Sequence, residues 1–373
     1  MAQRAASNLA AVKMDLAAAS TEGDPDRIRL LETLISAGGD ILLYRPQLQH
    51  YAVLFGDIES AEHVAVIIPG VGDGTNLSDD WIPDAQNLFE KAPATAVVLW
   101  KGYDNPVDVM AAAAGSIECS EDLVTAANEL TAFVESLDLE PEQSLTVVAH
   151  SFGSIVTGAA LADCGLVVTD VIVVGSPGMT VDELRELHVQ QSHFFSEQAP
   201  GDAIAELGVF GAAPSSPTFG GTRMSVNAPD HPHVQSHSEY FTPESEALEN
   251  IADVVTGDYE EVRRHRPSFP EVAGGLVSWL LRLPVVPIQM AGRHYRGPGF
   301  RVMTNWCHLV DLGANETGNL VCEVLDESER ALLWVAHRVG ALPDLEIDFE
   351  FDPDDGTGET GHPGPPGRTG HQP

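Results

Sequence analysis

Hydrophobic periodicity divides the chain into a helical opening and a longer stretch in which buried strands alternate with helices. Residues 5–19 are Ala-rich and helix-prone. A second helix is expected over 26–37, with Asp24 as N-cap, Pro25 at the first turn and Gly38-Gly39 as the stop. From Asp40 the period changes. Residues 41–44 and 51–55 flank a Pro-containing turn and predict an opening hairpin. Residues 63–68 form a continuous apolar run, of the kind buried on both faces in a parallel sheet. That run ends in Pro69-Gly70-Val71-Gly72-Asp73-Gly74. Helix (79–91), strand (96–100), helix (120–136), strand (145–148), helix (152–163) and strand (171–174) follow. Such alternation predicts an α/β fold, a doubly wound and mostly parallel sheet with helices on both faces. Ligand sites in such sheets lie at the strands' carboxyl ends.

Beyond Gly175-Ser176-Pro177-Gly178 the rhythm loosens. Residues 188–196 read as one more strand, 208–222 as an irregular loop, 223–226 as a last short strand and 243–255 as a helix closed by Gly257. Residues 272–283 are strongly apolar and 327–339 have helical spacing. From Asp352 the chain is a mixture of Gly, Pro, Asp, His and Thr that cannot build a core. The expected organisation is a helical N-terminal segment (1–39), an α/β domain (40–257), a C-terminal extension packing on that core (258–349) and a disordered tail (350–373).

Composition narrows the functional classes. Apolar residues make up 43% of the 373, enough for a substantial core. The 56 acidic and 19 basic side chains leave a formal net charge of −37, with lysine only at Lys13, Lys91 and Lys101. A surface of that sign repels nucleic acid and anionic lipid, so neither is expected as a partner. It suits solubility through charge, or a salty cytoplasm in which dense carboxylates are screened. Cys119, Cys164, Cys307 and Cys322 have no C-x-x-C or zinc-type spacing, which points to free thiols in a reducing compartment and to no metal. The N-terminus lacks the apolar core of a signal peptide, and no window supplies the ~18 uninterrupted apolar residues of a membrane span. The expectation is a cytoplasmic protein without stable membrane insertion.

The chemistry centres on Val147-Val148-Ala149-His150-Ser151-Phe152-Gly153-Ser154. Apolar β-branched residues stop at a small residue, and a helix-like run follows. Ala149 and Gly153, two before and two after the serine, let the backbone turn tightly enough to project a hydroxyl from the apex. Ser151 is therefore the candidate nucleophile. A serine hydroxyl needs a general base within hydrogen-bond reach, and the base needs an orienting acid. Asp202, in a Pro-Gly turn after the 188–196 strand, is the candidate acid. Asp170 lies just ahead of a strand, at the wrong end of the sheet, and Asp182 starts a helix. His237, just ahead of the last helix, is the candidate base, with His231 and His233 as rivals beside Pro232. His150 reads as a packing or hydrogen-bonding residue.

An oxyanion hole would take one N–H from Phe152 and another from Val71 or Gly72 in the Gly-rich loop. That loop lacks the G-K-[ST] ending of a P-loop and the glycine spacing of a dinucleotide fingerprint, so no nucleotide cofactor is expected. Trp100 and Tyr103, at a strand's carboxyl end, are candidates for lining a substrate pocket. The apolar 272–283 segment reads as a core helix or as a cover over the site.

Together these stretches resemble an α/β-hydrolase family common in actinobacteria and catalogued as a domain of unknown function. The matching residues are Ile68-Pro69-Gly70-Val71-Gly72, Leu99-Trp100-Lys101-Gly102-Tyr103-Asp104 with Pro106, Leu145 to Ser154, Val174-Gly175-Ser176-Pro177-Gly178, Ala199-Pro200-Gly201-Asp202, His237-Ser238-Glu239-Tyr240 and Asn250 to Gly257, in the family's order. The resemblance implies an α/β-hydrolase fold with Ser151 as nucleophile, Asp202 as acid and His237 as base. Ala149 and Phe152 depart from the family's usual G-H-S-Y-G-S, and Ala203 replaces a frequent proline. The implied activity is a cofactor-independent serine hydrolase acting on a small acyl ester. An idle scaffold that binds a partner, or an acyltransferase using the same triad, are the alternatives.

Overall fold

The structure, a computed structural model, describes residues 2–71, 81–104, 121–207 and 210–266. Two helices open the chain, α1 (Ala2–Glu22) and α2 (Pro25–Ser36). The Asp24 side chain caps α2 by accepting from the Arg27 N–H at 3.2 Å, and Pro25 takes its first turn. Gly38 follows at φ 75°, a conformation that glycine adopts without a Cβ penalty. Val12, Ala19, Leu30, Leu31 and Leu34 join Ile41, Tyr51 and Val53 of the hairpin β1 (Asp40–Arg45) and β2 (His50–Phe55) in one buried cluster. Asp15 of α1 ties the unit together by pairing with Arg27 and with the Tyr44 hydroxyl of β1.

The other strands are β3 (His63–Ile68), β4 (Thr95–Lys101), β5 (Ser144–His150), β6 (Asp170–Val174), β7 (Phe194–Glu197) and β8 (Thr222–Arg223). They complete a sheet ordered β1-β2-β4-β3-β5-β6-β7-β8, antiparallel across β1–β2 and β2–β4 and parallel beyond. The continuous apolar runs follow from burial on both faces. Val64, Val66 and Ile68 enter one cluster with α4 (Glu121–Glu135) and α5 (Phe152–Asp163). Ala65 and Ile67 enter the other, with α3 (Trp81–Lys91) and α7 (Glu246–Thr256). This is the doubly wound arrangement expected from the sequence.

Strand order places the site. From β3 the chain crosses to β4 on one side, and β5 then pairs with β3 on the other. The connections diverge there and leave a crevice at the carboxyl ends of β3 and β5. Register aligns Ile68 with Ala149, His150 with Val174, and Val174 with Glu197 along that edge.

Several expected elements shift. The 188–196 strand contracts to β7, because the 3-10 turns Leu184–Leu187 and Gln191–His193 take up the preceding chain, with His188 between them at φ 59°. The 223–226 strand contracts to β8, after which Met224 bridges to Arg264. The expected 243–255 helix starts at Glu246, where the Ser245 side chain caps it by accepting from Leu248 N–H. In the expected loop over 208–222, Phe210 and Phe219 are core residues. A short helix, α6 (Ala203–Leu207), was not anticipated. Cys164 is a half-buried free thiol. Gly72, the other three cysteines, the 272–283 and 327–339 segments and the tail lie outside the described residues. No helix among the described residues is long and apolar enough to cross a membrane.

Glu197, closing β7, is buried with neither carboxyl oxygen hydrogen-bonded. Burial, with Glu246 nearby, pushes its titration well above the ordinary carboxylate range. An unfolded glutamate ionises near pH ~4.3, so above that pH the unfolded chain releases a proton that the folded protein retains. Folding is then penalised increasingly as pH rises, by at most about 1.4 kcal/mol per pH unit. Glu197→Gln removes the penalty. Thermal melts are expected to show little gain at about pH 4 and a clear gain at about pH 8; a gain independent of pH would contradict this account.

Candidate active site

Ser151 is the single residue between β5 and α5. Its backbone sits at φ 52° and ψ −125°, a strained conformation for a side chain with a Cβ. Neighbours hold it there. The Ser151 N–H donates to the Val174 carbonyl at 3.0 Å, and the Ser151 carbonyl accepts from the Ser154 N–H at 3.0 Å and the Ser154 hydroxyl at 2.6 Å. Glycine at 153 is obligatory, since a Cβ would lie 2.3 Å from the Ile68 carbonyl oxygen. Gly70 is equally constrained: a Cβ there would meet Ser151 Cβ at 2.6 Å. The end of β3 therefore lies directly against the serine.

Two segments bring the other candidates to Ser151. Asp202, fully buried in the turn after β7, opens α6 and accepts from the N–H groups of Ile204 and Ala205 at 3.1 and 3.0 Å. His237 lies in the loop before α7. Its Nδ1–H donates to Asp202 Oδ1 at 2.8 Å, and Ser151 Oγ–H donates to its Nε2 at 2.7 Å. Burial raises the Asp202 carboxyl, but hydrogen bonds from His237, Tyr240 and Ala205 outweigh it and leave the group below the usual carboxylate range. An ionised Asp202 accepts only, so Nδ1 carries the imidazole proton and Nε2 is the free acceptor facing the serine.

The loop carrying His237 is fixed from several sides. Asn227 bonds both main-chain groups of Val234, and Glu239 Oε2 accepts from the N–H groups of Gln235 and Ser236 at 2.8 and 3.1 Å. His150 Nε2–H donates to the His237 carbonyl at 2.6 Å, while its ring lies 4.6 Å from that of His237 and 4.9 Å from that of Trp81. Burial and the neighbouring His237 lower its pKa to about 3, so His150 is neutral and serves as a hydrogen-bond donor.

The rival histidines fall elsewhere. His231 Nε2 bonds Glu249 at 2.9 Å within a cluster that includes Lys91 and Arg263, and His233 is exposed. Asp170, at the start of β6, is bonded to His193 and Tyr259 at the far end of the sheet. Asp182 starts no regular helix; it precedes the 3-10 turn Leu184–Leu187.

Phe152 is the first residue of α5, so its N–H has no intrahelical acceptor. Val71 follows Gly70 beside the serine. Trp100 and Tyr103, the candidates for lining a pocket, lie in β4 and just after it. Both are buried at 1% and 3% exposure, Trp100 packed between Tyr103 and Phe133. No group of three or more His, Cys, Asp or Glu side chains among the described residues could hold a metal ion.

Three residues of the site had no assigned part in the sequence reading. Tyr240 donates its hydroxyl proton to Asp202 Oδ2 at 2.6 Å and accepts from the Ala199 N–H at 2.9 Å. Gly175, at φ 59°, leaves room for the acid and base: a Cβ there would lie 2.8 Å from Asp202 Oδ2 and 3.0 Å from His237 Nδ1. Gly70 does the same for Ser151. Each stands inside a stretch that carried the family resemblance, which was the available signal.

Residues 46–212 match a family model described as alpha/beta hydrolase, a span that includes Ser151 and Asp202. An uncharacterised protein of Mycobacterium tuberculosis is 28% identical over 302 residues, which cover 66% of this chain and 44% of the relative. The chain thus spans less than half the length of that relative. An uncharacterised protein of Mycobacterium bovis is 32% identical over 196 residues, 47% of this chain and 71% of the relative. Among solved structures, an alpha-beta serine hydrolase homologue from Coxiella burnetii is 12% identical, covering 59% of this chain and 96% of that one, with a TM-score of 0.33. A serine hydrolase without lid from Xanthomonas campestris is 16% identical, covering 58% and 91%, with the same TM-score of 0.33. Likenesses this distant say nothing about substrate. The family model spans the central strands and the serine turn, the mycobacterial relative shares nearly a third of the residues over most of its own length, and the chain belongs to the alpha/beta hydrolase family.

Proposed function

We propose that the protein is a serine hydrolase that cleaves small acyl esters through an acyl-enzyme intermediate. The observation that carries this reading is the hydrogen-bonded series from Ser151 Oγ through His237 to Asp202, at 2.7 and 2.8 Å, built on a serine held at positive φ. Ser151 Oγ attacks the ester carbonyl carbon as its proton passes to His237 Nε2. Asp202 stabilises the imidazolium, and the N–H groups of Phe152 and Val71 receive the charge that develops on the carbonyl oxygen. Collapse of the tetrahedral intermediate expels the alcohol with the proton from His237. Water then attacks the acyl-serine, again giving a proton to His237, and the acid leaves as Ser151 recovers its hydrogen. No step calls for a bound cofactor. The net charge of −37 disfavours nucleic acid and anionic membranes as partners.

A fluorophosphonate probe tests the reading, because it phosphonylates an activated serine and spares an ordinary one. The folded wild type is expected to label, and Ser151→Ala to lose the label completely. Absence of labelling on the folded wild type would favour an idle scaffold and end the hydrolase proposal.

A further inference from the structure

The stretch Leu99-Trp100-Lys101-Gly102-Tyr103-Asp104 performs no step of the proposed reaction, yet it buries two polar side chains beside the site. The Tyr103 ring packs 5.8 Å from that of Phe152, the residue after Ser151. Its hydroxyl donates to the Pro69 carbonyl, at the end of β3. A phenylalanine would fill the same volume, so what the hydroxyl adds is this bond to main chain. Burial keeps the phenol protonated, and it therefore remains a donor.

Tyr103 is in turn held by Lys101. Lys101 Nζ donates to the Tyr103 carbonyl at 2.5 Å and lies 3.6 Å from the centre of its ring. Lys101 is only 3% exposed, and burial lowers its pKa to about 7, so it donates whether charged or neutral. Glycine at 102 makes the arrangement possible, since a Cβ there would lie 2.3 Å from the Trp100 indole. The neighbouring Asp104 carboxylate bonds His50 Nε2 at 3.0 Å.

Tyr103 thus packs on the ring of Phe152, one proposed supplier of an oxyanion N–H, and bonds Pro69, two residues before Val71, the other. We propose that Tyr103 is a positioning residue that pins the 69–71 strand end against Ser151, and that Lys101 locks Tyr103 in that role. The catalytic half of this proposal rests on the serine-hydrolase reading; the pinning of the strand end does not. Oxyanion donors act only within a narrow distance range, and a misplacement of about 1 Å can cost roughly 100-fold in rate.

Hydrogen exchange and steady-state kinetics on p-nitrophenyl butyrate, run on wild type, Tyr103→Phe, Lys101→Met and the double variant, test it. Tyr103→Phe is expected to melt cooperatively, to exchange faster in peptides covering 64–71, and to exchange normally in peptides covering 171–174. Its kcat is expected to fall about 10- to 100-fold, with KM changed less than about twofold. Lys101→Met should show the same pattern in weaker form, and the double variant should be no worse than Tyr103→Phe. Unchanged exchange at 64–71 in a folded Tyr103→Phe overturns the pinning. Faster exchange with unchanged kcat, or a loss confined to KM, overturns the positioning role. A wild type that turns over no ester defeats the hydrolase reading, while the exchange data still decide whether Tyr103 pins the strand end.

Discussion

His237→Ala is expected to lower kcat for p-nitrophenyl butyrate by about 10⁴-fold while the protein stays folded. The size of the loss follows from what Nε2 does. It is the acceptor 2.7 Å from Ser151 Oγ, and without it the hydroxyl must give its proton to water during attack. The fold should tolerate the change, because the His237 side chain is 30% exposed and its loop is held through main chain. His150 bonds the His237 carbonyl, which alanine keeps, and Glu239 still accepts from Gln235 and Ser236. The effects should also be non-additive. A Ser151→Ala/His237→Ala double variant is expected to be no slower than either single variant, since the two side chains act as one unit. His231→Ala and His233→Ala are expected to retain near-normal kcat, one being tied to Glu249 and the other exposed. A larger loss from His233→Ala than from His237→Ala would move the base.

The architecture was legible where burial on two faces writes itself as an unbroken apolar run. Val64 to Ile68, Val97 to Leu99 and Val171 to Val174 each feed both clusters, so their strands and parallel pairing could be read from the apolar runs and their alternation with helices. Local capping was equally plain at Asp24-Pro25. Position after a late strand and just ahead of the last helix, together with the family resemblance, brought Asp202 and His237 forward beside Ser151, and in the structure those three side chains meet. What stayed hidden depends on tertiary approach. Gly175 matters because Asp202 and His237 arrive beside it from distant segments, which no local pattern records. The start of β7 was misplaced because a left-handed turn at His188 has no signature in a mixed polar and apolar stretch. The close approach at Gly102, where a Cβ would lie 2.3 Å from the Trp100 indole, and the burial of Trp100 and Tyr103 are likewise set by tertiary packing.

Asp202→Asn is the more discriminating substitution, because the surrounding donors dictate how the amide must sit. Oδ1 accepts from His237 Nδ1–H and from the N–H groups of Ile204 and Ala205, whereas Oδ2 accepts from the Tyr240 hydroxyl alone. An asparagine that placed its NH₂ at the Oδ1 position would face three donors and force His237 into the wrong tautomer. Placing the carbonyl there preserves those three bonds and directs the NH₂ at Tyr240, whose hydroxyl already accepts from Ala199 N–H and would lose its own acceptor. One unsatisfied hydroxyl is the smaller cost. His237 then keeps its proton on Nδ1, and what is lost is the negative charge that stabilises the imidazolium. The expected fall in kcat is therefore roughly 10³-fold, short of the ~10⁴-fold that accompanies a switched tautomer. Asp202→Asn/Tyr240→Phe should recover part of the lost Tm without recovering kcat. Acid adds an independent check. A carboxyl titrating below its ordinary value stabilises the fold above about pH 4, and that contribution disappears as pH falls through its folded pKa. Wild type and Asp202→Asn should consequently converge in Tm on acidification. A Tm gap that persists into strong acid, or near-normal turnover by Asp202→Asn, would place the acid elsewhere.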